Sequence, residues 1–101
     1  MRGPIEMETA RPLVCATVTG TDMAELRARR DAVAGADLVE VRLDAAGAPD
    51  AGAATAGRRL PVVVTCRRQD EGGWFRGSEP ERHALLLSAL QAGADYVDLE
   101  F

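Results

Sequence analysis

The sequence contains no lysine, because all twelve of its basic side chains are arginines. A reaction that forms an imine on a lysine amine is therefore beyond these 101 residues by themselves. Cysteine and histidine are also scarce, with two and one residues respectively. Neither CxxC nor HxxxH spacing occurs, so the sequence gives no support for a metal site.

Long apolar runs are absent as well. No run approaches the roughly 18 residues that a membrane-spanning helix needs, and residues 1–11 lack the apolar core of a signal peptide. The net charge of −4 argues against a nucleic-acid partner, which would favour a basic surface. We therefore expect a cytoplasmic protein that binds no membrane, no nucleic acid and no cofactor.

The chain divides into a short tail and one folded unit. Residues 1–11 mix charges with Gly3 and Pro4 and show no periodicity, which predicts a flexible N-terminal tail. Residues 12–101 have the length of one small domain or of part of a larger one. Cys15 and Cys66 fall in predicted strands of this unit, and we expect both to be small buried side chains.

The stretch at residues 34–44 organises the rest of the chain. It predicts a helix that ends at Gly35 and is followed at once by a strand. Side chains alternate between the two faces of a strand. One face of this strand is apolar, whereas the other becomes charged toward the C-terminal end, where Glu40, Arg42 and Asp44 lie.

The same pattern returns near the end of the sequence. Residues 92–101 repeat it 58 positions later, with Asp98 in place of Glu40 and Glu100 in place of Arg42. Two copies of a helix end joined to a half-polar strand predict an architecture of repeated βα units.

The whole chain is typical of four strands alternating with three helices. The predicted strands begin near residues 13, 38, 62 and 95. The helix starts are marked by Thr21, by Asp50 after a proline, and by Ser78, which forms a capping box with Glu81. This β-α-β-α-β-α-β order predicts an α/β fold with parallel strands.

Two architectures share this order: a doubly wound sheet and a (β/α)8 barrel. No GxGxxG phosphate-binding turn follows the first strand, which weakens the dinucleotide-binding alternative. Charged residues gather at the predicted C-terminal ends of the strands, where barrel enzymes place their active sites. We therefore favour a partial TIM (β/α)8 barrel.

The polar residues at these strand ends are Thr17, Glu40, Arg42, Arg67, Asp98 and Glu100. Arginines and carboxylates facing a common interior suit a small ligand that is rich in oxygen atoms. An ion-pair network that closes one layer of the barrel is the alternative interpretation. The glycine-rich loop at 68–77 is too long for a simple connection, and loops of this kind are disproportionately functional.

Three motifs, in order and at matching separations, resemble type I 3-dehydroquinate dehydratases. They are residues 35–44, residues 65–67 with the Glu-Gly-Gly of 71–73, and residues 93–100. The similarity runs from about Pro12 to Phe101. It implies a TIM barrel and a hydro-lyase of the shikimate pathway, which converts 3-dehydroquinate to 3-dehydroshikimate through an imine between the substrate ketone and a lysine.

The resemblance also assigns roles to individual residues. The positions that match substrate-binding residues of the family are Thr17, Glu40, Val41, Arg42 and Arg67. Glu71 matches a carboxylate that supports the catalytic histidine, and Asp98 and Glu100 match acidic positions near the site. The lysine and histidine of the family lie on later strands, beyond Phe101. We expect the single histidine, His83, to be a solvent-facing residue of the third helix.

We interpret the chain as an N-terminal fragment covering roughly 40% of a barrel of about 250 residues. Two alternatives remain open. The chain could be a non-catalytic half-barrel that pairs with itself, as a homodimer, or with a separate C-terminal half. It could also be a small α/β binding module whose charged interior is structural.

Because it lacks lysine, the isolated 101-residue polypeptide is expected not to dehydrate 3-dehydroquinate. The measurement is a turnover assay on the purified polypeptide. Turnover at a rate near that of an ordinary enzyme would contradict the prediction.

Overall fold

The computed structural model describes residues 12–98, which form four strands and three helices. In chain order these are β1 (Cys15–Val18), α1 (Met23–Ala32), β2 (Leu38–Arg42), α2 (Ala51–Thr55), β3 (Val62–Thr65), α3 (Glu79–Gln91) and β4 (Tyr96–Asp98). The predicted tail at 1–11 and the end of the last predicted strand, 99–101, lie outside the described residues. Within 12–98, no helix has the length and apolar character that crossing a membrane requires.

The four strands form one parallel sheet in the order β1-β2-β3-β4. The predicted alternation of strands and helices is thus confirmed. Each strand lies beside the next one in the chain, as in the wall of a (β/α)8 barrel. A doubly wound sheet would reverse its strand order part-way. The fold is therefore an α/β partial fold consistent with the TIM-barrel architecture.

The core lies on one side of this sheet only. The β2 and β3 side chains on that side are fully buried and pack with apolar residues of all three helices. The strand members of this core are Val39, Val41, Val62 and Val64. Side chains of the opposite parity are mostly half-buried or exposed. The alternation of the strands thus separates an apolar face, covered by helices, from a second face on which the polar residues stand.

The two cysteines differ, which corrects the expectation that both are buried. Cys66 follows β3 and is fully buried, and burial raises the pKa of its thiol to about 12. Cys15 is exposed. It belongs to β1, which in the described sheet has a neighbour on one side only, and it stands on the face opposite the helical core. The sequence pattern predicts the strand, but its position at the edge of the described sheet depends on the tertiary structure.

Local capping signals set the ends of the helices. Asp22 is the N-cap of α1, one residue after the predicted Thr21, and its carboxylate accepts a hydrogen bond from the Glu25 N–H at 2.8 Å. Asp50 caps α2 as predicted. The predicted capping box of α3 is present, with both hydrogen bonds formed. The first helix ends earlier than predicted, at Ala32 with Val33 as its C-cap, and Gly35 follows in the loop with a φ of +75°, a left-handed conformation that glycine adopts without steric cost.

Replacing Ser78 by Ala removes the hydroxyl that accepts the Glu81 N–H at 3.2 Å. We expect the free energy of unfolding, measured by urea denaturation, to fall by about 1 kcal/mol, because one donor at the start of the helix loses its partner. Ser88→Ala, at an exposed position of the same helix, is the matched control and should leave stability equal or slightly higher. Equal losses in the two variants would contradict the prediction.

Candidate functional site

A carboxylate flanked by two hydroxyls marks the middle of the polar side of the sheet. The register places Thr17 of β1 beside Glu40 of β2. One oxygen of Glu40 accepts a hydrogen bond from the Thr17 hydroxyl at 2.8 Å, and the other accepts one from the Thr65 hydroxyl at 2.6 Å. Glu40 is therefore held from both neighbouring strands. Each of its oxygens retains acceptor capacity for a further donor.

Arg42 lies two residues further along β2, and Asp44 fixes its guanidinium. Nε and one terminal nitrogen of Arg42 donate to the two carboxylate oxygens of Asp44, at 3.0 and 2.7 Å. The hydrogen bonds to Asp44 raise the pKa of Arg42 above its usual value. The Asp44 side chain is fully buried and that of Arg42 is 13% exposed, so the pair is largely removed from solvent.

The loop at 68–77 folds back onto this ion pair. The backbone N–H of Trp74 donates to Asp44 at 3.1 Å, and the Trp74 ring lies with its centroid 5.3 Å from the guanidinium carbon of Arg42. This distance is within the range of a cation–π contact. At the other end of the polar side, Arg67 donates to Asp98 at 3.2 Å.

Two glycines shape this loop for different reasons. Gly72 has a φ of +84°, which closes the short 3-10 turn at Gln69–Glu71. Gly73 packs so closely against the main chain of Arg67 that an added Cβ would lie 2.1 Å from the Arg67 carbonyl oxygen. Its N–H donates to the Arg68 carbonyl at 2.8 Å. The Glu-Gly-Gly motif is thus a close turn held against the end of β3.

Comparison with known proteins assigns the chain to a family. A model of the type I 3-dehydroquinase family matches residues 14–101. The chain belongs to the type I 3-dehydroquinase family.

Curated relatives agree with this assignment. The chain is 46% identical over 66 residues to a 3-dehydroquinate dehydratase of Desulfotalea psychrophila, covering 65% of this chain and 29% of the relative. It is 42% identical over 90 residues to one of Dehalococcoides mccartyi strain 195, with 89% and 39% covered. The alignment to one of Methanopyrus kandleri gives 41% identity over 96 residues, with 87% and 44% covered. The chain spans less than half the length of these relatives.

Most of the residues assigned by resemblance to this family stand together on one face of the sheet. We define the polar face as Thr17, Glu40, Arg42, Thr65, Arg67 and Asp98. Glu71 lies beside it in the loop, where one carboxylate oxygen is 3.2 Å from Arg68. Glu100 lies outside the described residues.

The structure places the side chain of Val41, a predicted substrate-binding residue, away from the polar face. Its side chain is fully buried in the core between the sheet and the helices, because its parity is opposite to that of Glu40 and Arg42. The Val41 side chain therefore does not belong to the polar face.

His83 is exposed on α3, as predicted, with Nε2 3.3 Å from a carboxylate oxygen of Glu79.

Three contributors to the site are not among the predicted site residues: Thr65, Asp44 and Trp74. Thr65 was recoverable, because it shares the parity of Arg67 and pairs with Arg42 across the sheet. Strand alternation also places Asp44 on the side of Glu40 and Arg42, but it does not predict that Asp44 is buried against Arg42, because Asp44 lies in the turn after β2. Trp74 reaches the site only because the loop folds back, and no local signal indicates that.

A cleft of about 700 Å³ lies next to the polar face without including its predicted substrate-binding residues. The loops that follow β1, β2 and β3 line it. Asp44 and Trp74 line this cleft, but their common partner Arg42 does not. The polar face itself is one open wall of a sheet, so four strands do not enclose it.

Gly73→Ala is expected to separate the loop from β3, because a methyl group would overlap main-chain atoms that no rotamer change can move. We expect a loss of about 3 kcal/mol in the free energy of unfolding, measured by urea denaturation. Gly72→Ala is the matched control. It meets open space and should lose only about 1 kcal/mol, from its left-handed conformation. A smaller loss for Gly73→Ala than for Gly72→Ala would contradict this account of the loop.

Proposed function

We propose that this protein acts as a 3-dehydroquinate dehydratase and that the polar face binds its substrate. The observation that carries the proposal is the convergence of Glu40, Arg42 and Arg67 on one face of the sheet, at the C-terminal ends of β2 and β3. Active sites of (β/α)8 barrels lie at this end of the strands. Family membership and the names of the relatives point to the same reaction.

The chemistry of the substrate fits these side chains. 3-Dehydroquinate is a small polyhydroxylated carboxylic acid with a ketone, so it presents many oxygen acceptors and several hydroxyl donors. Arg42 and Arg67 supply fixed, permanently charged N–H donors for oxygen atoms. Glu40 has acceptor capacity left for a substrate hydroxyl, because each of its oxygens is hydrogen-bonded to a single threonine. The polar face would therefore bind and orient the substrate.

The family reaction requires a lysine for the imine and a histidine for proton transfer. These 101 residues contain no lysine, so we propose that further strands from outside the described residues complete the site. In the described sheet, β1 and β4 each pair on one side only and could accept such strands. A C-terminal half that carries both residues would satisfy this requirement, whereas a second copy of the same 101 residues would bring no lysine.

Glu71 supports this view of an incomplete site. One of its carboxylate oxygens is buried and has no hydrogen-bond partner among residues 12–98. A buried carboxylate oxygen without a donor is unfavourable. We propose that a catalytic histidine from outside these residues donates to it, as the resemblance implies.

We also infer a cytoplasmic location, which the two free cysteines support.

Arg67→Ala tests the proposed function in the gene product that carries these residues. We expect kcat/KM for 3-dehydroquinate to fall about 10- to 100-fold, since a hydrogen bond to a charged group contributes about 1.5–3 kcal/mol. The assay follows the absorbance of the enone product. Arg27→Ala is the control, because Arg27 lies on α1 and makes one long contact, 3.4 Å, to the Ala56 carbonyl. Absence of turnover in the parent protein, or equal effects of the two substitutions, would contradict the proposal.

A further inference from the structure

The carboxylate of Asp44 is the most enclosed charged group of the site region. Its side chain has no solvent exposure, and it accepts three N–H groups, two from Arg42 and one from the Trp74 backbone. We propose that Asp44 is a positioning residue, which turns one edge of the Arg42 guanidinium toward the substrate and joins the 68–77 loop to that arginine. This inference rests on the proposed function.

The geometry of the pair determines which part of Arg42 remains available. A guanidinium has two edges that can donate two parallel hydrogen bonds, and Asp44 occupies the edge formed by Nε and Nη2. Nη1 has no protein partner among residues 12–98 and points to the other side of the planar group. The Arg42 side chain is 13% exposed, and Nη1 is not among the buried side-chain nitrogens that lack a partner, so it keeps contact with solvent. A substrate oxygen would find a donor of fixed direction there.

Burial makes the two charges depend on each other. A buried carboxylate without a partner is strongly unfavourable, and the same holds for a guanidinium that is largely withdrawn from solvent. The side chains of Arg42 and Asp44 therefore have one low-energy arrangement rather than several. Because the flexible arginine is already ordered before a ligand arrives, binding loses less conformational entropy.

Asp44 also connects the two arginines through the loop. Its third hydrogen bond comes from Trp74, and the next residue, Phe75, donates its N–H to the Arg67 carbonyl at 3.1 Å. The Trp74 ring packs over the guanidinium of Arg42. A single buried carboxylate thus holds both Arg42 and the loop directly, and through the loop it is linked to the main chain of Arg67.

An ion pair with a similar donor set at the opposite end of the sheet offers a control, although its arginine and aspartate side chains are more exposed, at 29% and 34%. Asp95, just before β4, accepts Arg58 Nε at 2.9 Å and the Val62 N–H at 2.8 Å. Like Asp44, it combines one arginine with one backbone donor, but it lies at the N-terminal ends of the strands. Asp95→Asn should therefore reproduce the loss of an ion pair without affecting the substrate.

The test compares Asp44→Asn with Asp95→Asn in the gene product that carries these residues. We expect Asp44→Asn to raise KM for 3-dehydroquinate about tenfold, with a smaller fall in kcat, because an amide cannot accept all three N–H groups. Asp95→Asn should leave KM within about twofold. Equal changes in KM would overturn the inference.

A double-mutant cycle separates positioning from general damage. If Asp44 acts through Arg42, Asp44→Asn should change KM by less than about threefold once Arg42 is already Ala. A full tenfold effect in that background would mean that Asp44 acts elsewhere, and would overturn the inference.

Should Asp44→Asn fail to fold, Asp44→Glu keeps the charge but displaces it by one methylene. It should still raise KM, and an unchanged KM would overturn the inference.

These outcomes are distinct from failure of the proposed function. An inactive parent protein, or an Arg42→Ala variant with unchanged kcat/KM, would contradict the proposal that the polar face binds substrate. If the parent protein is active and is impaired by Arg42→Ala but not by Asp44→Asn, only the positioning role of Asp44 is contradicted.

Discussion

The strict alternation of side chains along four parallel strands is the constraint on which the rest of the structure depends. It sends Val39 and Val41 into a core with the helices and leaves Glu40 and Arg42 on the other face. A slip of one residue in β2 would exchange these sets and bury two charges among valines, which is strongly unfavourable. The register of the sheet therefore determines which residues make up the polar face.

The polar face is ordered by local compensation of charge and hydrogen bonding. Glu40 is held by two hydroxyls, Arg42 by Asp44, and Arg67 by Asp98. Within each of these contacts the donor and acceptor geometry is satisfied before any ligand is present. Preorganised donors and acceptors of this kind bind a polar ligand more tightly than mobile ones, because less entropy is lost on binding.

Sequence reasoning predicted the features that have local causes. The strand–helix alternation, the capping box at Ser78 and the parity of Glu40 and Arg42 follow from periodicity and capping chemistry. The N-cap of α1 is Asp22 and not the predicted Thr21, because both of these adjacent residues are good caps. The exposure of Cys15 and the contact between Trp74 and Arg42 depend on which strand is an edge and on where a loop returns. Both features depend on tertiary structure, which a short stretch of sequence does not determine.

The position of Trp74 has an optical consequence. It is the one tryptophan of the chain, and its half-exposed indole ring lies over a cation that belongs to the polar face. Indole emission responds to nearby charge and to hydration, so the tryptophan fluorescence of this chain comes from the position where the loop packs on Arg42. The chain thus carries a native spectroscopic reporter at its candidate site, and no added label is needed to follow it.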